Sequence, residues 1–197
     1  RLILGLLVKS KFKIKLTGDK SLSKRDFSRV IEPLKNIGVN FYPVNKSKLP
    51  IFIKGSNYLR PIKYFENRGS AQCKSAVMLA ALNTFGETII KAKKSRNHTE
   101  LLFKFLKLPI KIIRKDKFDI IKIIGKHNIP SLNYKIPSDI SSAAFFLVLT
   151  ALTKNSILKI KNVNINPSRM GVLYILKLMG IKISKSNIKN YKGEKIA

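Results

Sequence analysis

Acidic residues are scarce in this 197-residue chain: 10 Asp and Glu stand against 40 Lys and Arg, a formal net charge of +30. The only cysteine is Cys73, which excludes a disulfide framework and a cysteine-rich zinc site and fits a reducing compartment. Two histidines, His98 and His127, exclude a histidine-rich metal centre. With 10 Gly and 8 Pro, collagen-like and linker compositions are excluded too. No apolar run approaches the roughly 20 residues that a membrane-spanning helix needs. The longest, residues 2–8 and 143–149, read as cores of buried elements. No basic leader with a small-residue cleavage site precedes the first run. What is present suffices for a core: hydrophobic residues make up 45%, too many for a disordered chain. The length accommodates one large domain or two small ones. The chain opens inside an apolar helical pattern and stops at Lys195-Ile196-Ala197 without a cap, so it is expected to be a piece of a longer protein.

The charge invites a nucleic-acid reading, because clustered Lys and Arg neutralise phosphates. Its distribution argues otherwise. Lysines are spread over every segment, no block of five basic residues occurs, and aromatics are scattered rather than interleaved as a stacking platform. The lysines read as filling solvated faces, and the charge suits small anionic ligands.

An internal repeat organises the chain. Three stretches follow one script of strand, turn with Ser and Arg, and amphipathic helix. The strands are residues 12–16, 88–92 and 157–161; the turns carry Ser23 with Arg25, Ser95 with Arg96, and Ser168 with Arg169. The arginines are 71 residues apart (25 to 96) and 73 apart (96 to 169). A second, more apolar helix precedes each strand, at 2–8, 71–83 and 141–153. Further strand material follows each amphipathic helix, at 39–43 with 50–54, 111–114 with 118–124, and 181–184. Residues 60–65 and 132–136 would open the second and third copies. The unit reads β-α-β-α-β-β, with boundaries near 1–57 (incomplete), 58–128 and 129–197 (incomplete). The helices at 71–83 and 141–153 are apolar nearly all round and should be buried together.

A serine and an arginine at a helix start bring together free backbone N–H groups, the positive dipole end and a guanidinium, which suits an anion. The plainer alternative is that Ser23, Ser95 and Ser168 cap their helices beside exposed arginines.

Certain strings are more specific. Gly18-Asp19-Lys20-Ser21-Leu22-Ser23-Lys24-Arg25, Gly69-Ser70-Ala71-Gln72-Cys73-Lys74-Ser75-Ala76 and Ser95-Arg96-Asn97-His98-Thr99-Glu100 occur in order. They are joined by Asp139-Ile140-Ser141-Ser142-Ala143-Ala144 and Asn166-Pro167-Ser168-Arg169. Over essentially its whole length the chain resembles the EPSP synthase (3-phosphoshikimate 1-carboxyvinyltransferase) family, in its bacterial Ser-Ala-Gln variety. The resemblance implies an α/β fold of β-α-β-α-β-β units in pseudo-threefold arrangement, an inside-out α/β barrel of the enolpyruvyl transferase type. One partial domain would be present and a second absent. It implies a cytoplasmic transferase of aromatic amino acid biosynthesis, monomeric when full-length, that needs no cofactor, metal, membrane or specific nucleic acid. Its partners would be shikimate 3-phosphate and phosphoenolpyruvate.

By the same resemblance Ser70, Ala71, Gln72, Ser95 and Arg96 bind shikimate 3-phosphate, with Gln72 touching both substrates and Arg25 holding phosphoenolpyruvate. Cys73 is read as core, His98 as a packing or capping residue, and Lys74 and Asp139 as structural, with Asp139, Ser141 or Ser142 capping the next helix; the role of Arg169 stays open. The chain departs from the family pattern at Asp26, where Pro is usual, and at Asn97, where Asp is usual. Asp26 would either neutralise Arg25 in part or stabilise the helix start beside it. No catalytic acid–base pair is found, so the chain by itself is expected to be inactive. Two alternatives are the related UDP-N-acetylglucosamine enolpyruvyl transferase and a basic RNA-associated domain.

Overall fold

The computed structural model describes every residue, Arg1–Ala197, and divides into two compact units, Arg1–Ser95 with Lys107–Ile129 and Arg96–Leu106 with Pro130–Ala197. In the first unit, helix α1 (Leu2–Leu6) passes through a 3₁₀ turn (Leu7–Lys9) into strand β1 (Lys13–Leu16). The single-turn α2 (Lys20–Ser23), helix α3 (Ser28–Ile37) and strands β2 (Asn40–Tyr42) and β3 (Ile51–Lys54) follow. Next come β4 (Lys63–Glu66), α4 (Ala71–Ala81) and β5 (Glu87–Lys93). Helix α5 (His98–Phe105) lies in the second unit, and β6 (Ile110–Arg114) and β7 (Phe118–Ile124) return to the first.

The repeat is visible in the strand order. The first sheet runs β1-β3-β2, and the second runs β4-β5-β7-β6. The second therefore restates the first and adds β4, paired parallel to β5. The complete β-α-β-α-β-β unit forms as its periodicity predicts.

Helix α4 is the centre of this unit. Eight of its residues are buried, from Cys73 to Met78 and at Ala80 and Ala81. It packs against α1, α3, β5 and β7. Val30, Ile31 and Leu34 of α3 and the inward faces of the strands, Ile51 and Ile53 on one sheet and Ile90, Ile121 and Ile123 on the other, complete the core. Alternation along β5 and β7 explains this, since odd and even residues of a strand face opposite sides.

The second unit contains α5, α6 (Ile140–Leu152), a 3₁₀ turn (Pro167–Arg169), α7 (Gly171–Leu178) and the hairpin β8 (Lys189–Tyr191) and β9 (Glu194–Ile196). Here the sequence reading needs correction. The strands expected at 132–136, 157–161 and 181–184 do not form. Pairing occurs further along the chain instead. Ser138 bridges Val163 in parallel, and Asn164 bridges Ile196 antiparallel. The Val163 and Ala197 backbones exchange hydrogen bonds of 2.9 and 3.0 Å, and the Ile165 N–H donates to the Lys195 carbonyl at 2.9 Å. With β8 on the outer side of β9, the order again follows β4-β5-β7-β6. A period-two pattern makes a strand only where a neighbour buries one of its faces, and Ile157 is 98% exposed.

For the same reason α6 is not enclosed. Only Ile140 and Ala143 are buried in it, packed with Val163 and Leu173, while Phe145 is 80% and Leu152 81% exposed. Burial of α6, expected from its composition, is therefore not found.

The approach of α1 to α4 depends on one residue. A Cβ at Gly5 would lie 2.2 Å from the Ala76 carbonyl oxygen. Gly5→Ala is expected to destabilise by about 1–3 kcal/mol or more, as overpacking against backbone does. Gly171→Ala is the contrast: nothing lies within 4 Å of its Cβ position at the first residue of α7, so stability should rise by about 0.5 kcal/mol. Urea unfolding followed by circular dichroism checks both.

Candidate substrate-binding site

Strands β4 and β5 pair in parallel from Lys63 opposite Ile89 to Glu66 opposite Ala92. Two parallel strands end at the same edge, so the turn after β4 and the turn after β5 emerge side by side. Gly69, at φ +70, brings them close: a Cβ there would lie 3.5 Å from the Lys94 carbonyl oxygen. The first turn leads to Ser70 and α4, the second to Ser95 and Arg96. Ligands of sheets with parallel strands collect outside such carboxyl ends.

Ser70 is the N-cap of α4, its Oγ accepting the Cys73 N–H at 3.3 Å. The Ser70 N–H donates to Glu66 Oε2 at 2.8 Å, and the Arg68 N–H to Glu66 Oε1 at 3.2 Å. These bonds leave the Ser70 hydroxyl proton and the N–H groups of Ala71 and Gln72 available, because the first amides of a helix have no partner within it. The Gln72 side chain is exposed, Cys73 is buried as a core residue should be, and Lys74 is buried beside it. Ser95 Oγ is buried and has no hydrogen-bond partner.

The three serines do not cap the repeat helices. Ser23 Oγ donates to the Gly18 carbonyl at 3.2 Å, inside the α2 turn that Asp19 caps. The start of α3 is held by Asp26, which accepts from the Ser28 N–H at 2.8 Å and the Ser28 hydroxyl at 2.6 Å. The Ser28 hydroxyl, then the Ser28 N–H and the Ser47 hydroxyl, draw the Asp26 pKa down to about 2. Asp26 thus stabilises a helix start and makes no ion pair with Arg25, whose side chain is exposed. Ser168 is held by Asn166 within the 3₁₀ turn. The arginines keep their spacing: Arg25 stands three residues before α3, Arg96 two before α5 and Arg169 two before α7.

Arg169 has a structural partner. Its Nη2 donates to Asp139 Oδ1 at 2.7 Å and to Ser141 Oγ at 2.6 Å, while Asp139 caps α6 by accepting the Ser141 N–H. The Ser141 N–H and the Arg169 guanidinium hold the Asp139 pKa below its ordinary value, against a smaller opposing effect of burial.

The second unit also contains a polar network that joins two of the motif strings to the terminal hairpin. Asn166 is 2% exposed. Its Nδ2 donates to Asn97 Oδ1 at 2.8 Å and to Glu194 Oε2 at 3.2 Å. Its Oδ1 accepts from the Ser168 N–H at 2.9 Å and the Ser168 hydroxyl at 2.7 Å. Glu194 Oε1 meets His98 Nδ1 at 2.5 Å. His98 therefore packs against a buried carboxylate, and the start of α5, the Asn166 turn and the terminal hairpin are tied together. Burial pushes the Glu194 pKa up, but hydrogen bonds from His98, Asn164 and Asn166 and the His98 charge outweigh it and hold it low.

The model of the EPSP synthase (3-phosphoshikimate 1-carboxyvinyltransferase) family matches residues 1–195. The chain belongs to the EPSP synthase family. Among curated relatives, the 3-phosphoshikimate 1-carboxyvinyltransferase of Caldicellulosiruptor bescii is 44% identical over 98% of this chain and 45% of its own length. That of Ruthia magnifica is 44% identical over 100% of this chain and 44% of its own. The solved EPSP synthase of Acinetobacter baumannii superimposes with a TM-score of 0.81 at 36% identity, covering 99% of this chain and 43% of that one. The enolpyruvyl transferase NikO of Streptomyces tendae shares the fold, with a TM-score of 0.63 at 12% identity. The chain spans a little under half the length of the EPSP synthases it matches. The UDP-N-acetylglucosamine enolpyruvyl transferase alternative falls away.

Glu194 allows a pH test. Its folded pKa lies below the ordinary 4.5, so its stabilisation is complete above that value and is lost as pH falls through the folded pKa. Glu194→Gln should cost about 1–2 kcal/mol at pH 7 and flatten the loss of stability below pH ~4.5. Urea unfolding across pH 3–7 would show two parallel profiles if the network carried no such linkage.

Proposed function

We propose that the chain supplies the shikimate 3-phosphate side of an EPSP synthase. The whole protein would transfer the enolpyruvyl group of phosphoenolpyruvate to the 5-hydroxyl of shikimate 3-phosphate and release phosphate. The observation carrying this reading is the parallel β4–β5 pair, whose adjacent ends carry Ser70, Ala71 and Gln72 on one turn and Ser95, followed by Arg96, on the next.

Each group has a role suited to a phosphorylated carboxylate. The Ser70 hydroxyl and the Ala71 N–H donate to oxygen, and the dipole of α4 favours negative charge at that end. Gln72 offers donor and acceptor together and touches both substrates. Ser95 supplies the hydroxyl whose oxygen has no partner in the protein, and Arg96 a planar two-pronged donor. Arg25 holds phosphoenolpyruvate. The chain brings no general acid–base pair to the reaction and so turns over nothing alone. The three repeat units, near 1–57, 58–128 and 129–197, form part of one domain of a monomeric cytoplasmic enzyme.

Calorimetric titration with shikimate 3-phosphate at fixed ionic strength tests the reading. Hydrogen bonds to charged groups contribute roughly 1.5–3 kcal/mol, so Arg96→Ala should weaken binding about tenfold to a hundredfold, and Arg96→Lys should recover part of that. Arg169→Ala removes the same charge from a guanidinium already committed to Asp139 and should leave affinity nearly unchanged. Equal losses for both alanine variants would mean that bulk positive charge attracts the ligand, and the assignment would fall.

A further inference from the structure

Glu66 is a buried acid in a chain that has few. It ends β4, is 3% exposed, and directs both carboxylate oxygens at backbone N–H groups of the turn that follows, those of Arg68 and Ser70. Charge-assisted bonds of this kind are about twice as strong as neutral ones. They fix a four-residue turn that includes Gly69 at φ +70 and ends on the N-cap of α4.

The position of the charge is unexpected. It sits directly behind a helix start that, on the functional reading above, receives a phosphate. A carboxylate there repels the incoming anion.

We propose that Glu66 is a positioning residue for the anion-binding start of α4. It occupies the Ser70 N–H, and this directs the remaining donors, the Ser70 hydroxyl and the Ala71 N–H, towards the ligand. The proposal rests on the functional reading. It predicts that the two obvious substitutions act in opposite directions. Glu66→Gln keeps one amide oxygen to accept the Ser70 N–H, gives up the bond from the Arg68 N–H, which then faces the NH2 group, and removes the repelling charge. Glu66→Ala removes the acceptor and frees the Ser70 N–H, so the turn loses its anchor.

Titration of the full chain with shikimate 3-phosphate, and separately with inorganic phosphate, decides the matter. Glu66→Gln should bind about two- to fivefold more tightly than wild type, and Glu66→Ala about three- to tenfold more weakly. A merely structural acid would shift both variants the same way or neither, and either outcome overturns the proposal. Hydrogen exchange at the Ser70 amide is read in parallel and needs no ligand. It should be slow in wild type and Glu66→Gln and fast in Glu66→Ala; fast exchange in the wild type also overturns the proposal. Failure of the wild-type chain to bind shikimate 3-phosphate would instead overturn the functional reading, while the Ser70 amide would still decide whether Glu66 holds the turn.

Discussion

A helix buried on every side can meet solvent only at its ends. That constraint governs the first unit. Because α1, α3 and the sheet that contains β5 and β7 surround α4, its flanks are closed to ligands, and its polar capacity is concentrated at the first turn. Close packing on all sides also removes freedom to tilt or slide, so the axis of α4 follows from the core, while the turn before it orients the first donors. The close contact of Gly5 with the Ala76 carbonyl is where this rigidity is most exacting. The parallel pairing of β4 and β5 then brings the second turn beside the first.

The fold was legible in the sequence where both the pattern and its partner lay within the chain. The complete repeat, from β4 to β7, follows its hydrophobic periodicity element by element. The third copy does not. Ile157-Leu158-Lys159-Ile160-Lys161 alternates as a strand should, yet pairing moves to Val163–Ile165 as the partners available are Ser138 and β9. Alternation reports which face of a segment would be buried, not whether anything covers it. The hairpin β8–β9 was overlooked because its strands are short and polar, with only the Lys192-Gly193 turn to mark it. The site divides in the same way. Ser70, Gln72 and Arg96 belong to contiguous strings and could be read directly. Glu66 lies in none of these strings and acts through groups brought near by the fold, and Asn166, although it opens one of them, reaches Asn97 and Glu194 only through the fold.

Equivalent positions in the repeat have acquired different chemistry. Arg25 stands exposed beside a helix start whose Ser28 is held by Asp26, whereas Arg169 is bound to Asp139 and Ser141. A shared place in the repeat therefore does not confer a shared role. The surplus of positive charge is sharpened by the placement of the acids: Glu66, Glu100, Asp119 and Glu194, four of the 10, are buried. Their charges are committed inside, so the solvated surface is more uniformly cationic than composition alone suggests. This favours anionic ligands in general and leaves discrimination among them to oriented donors.

The Asn166 amide has two hydrogens, and both are engaged, one by Asn97 and one by Glu194. An aspartate at position 97, the usual residue in the family motif, would set two carboxylates against one neutral amide. The identities of residues 97 and 194 are thus coupled although they lie far apart in the chain. Introducing the family aspartate here would be epistatic with Glu194: harmful while the glutamate is charged, and tolerated once a neutral residue replaces it.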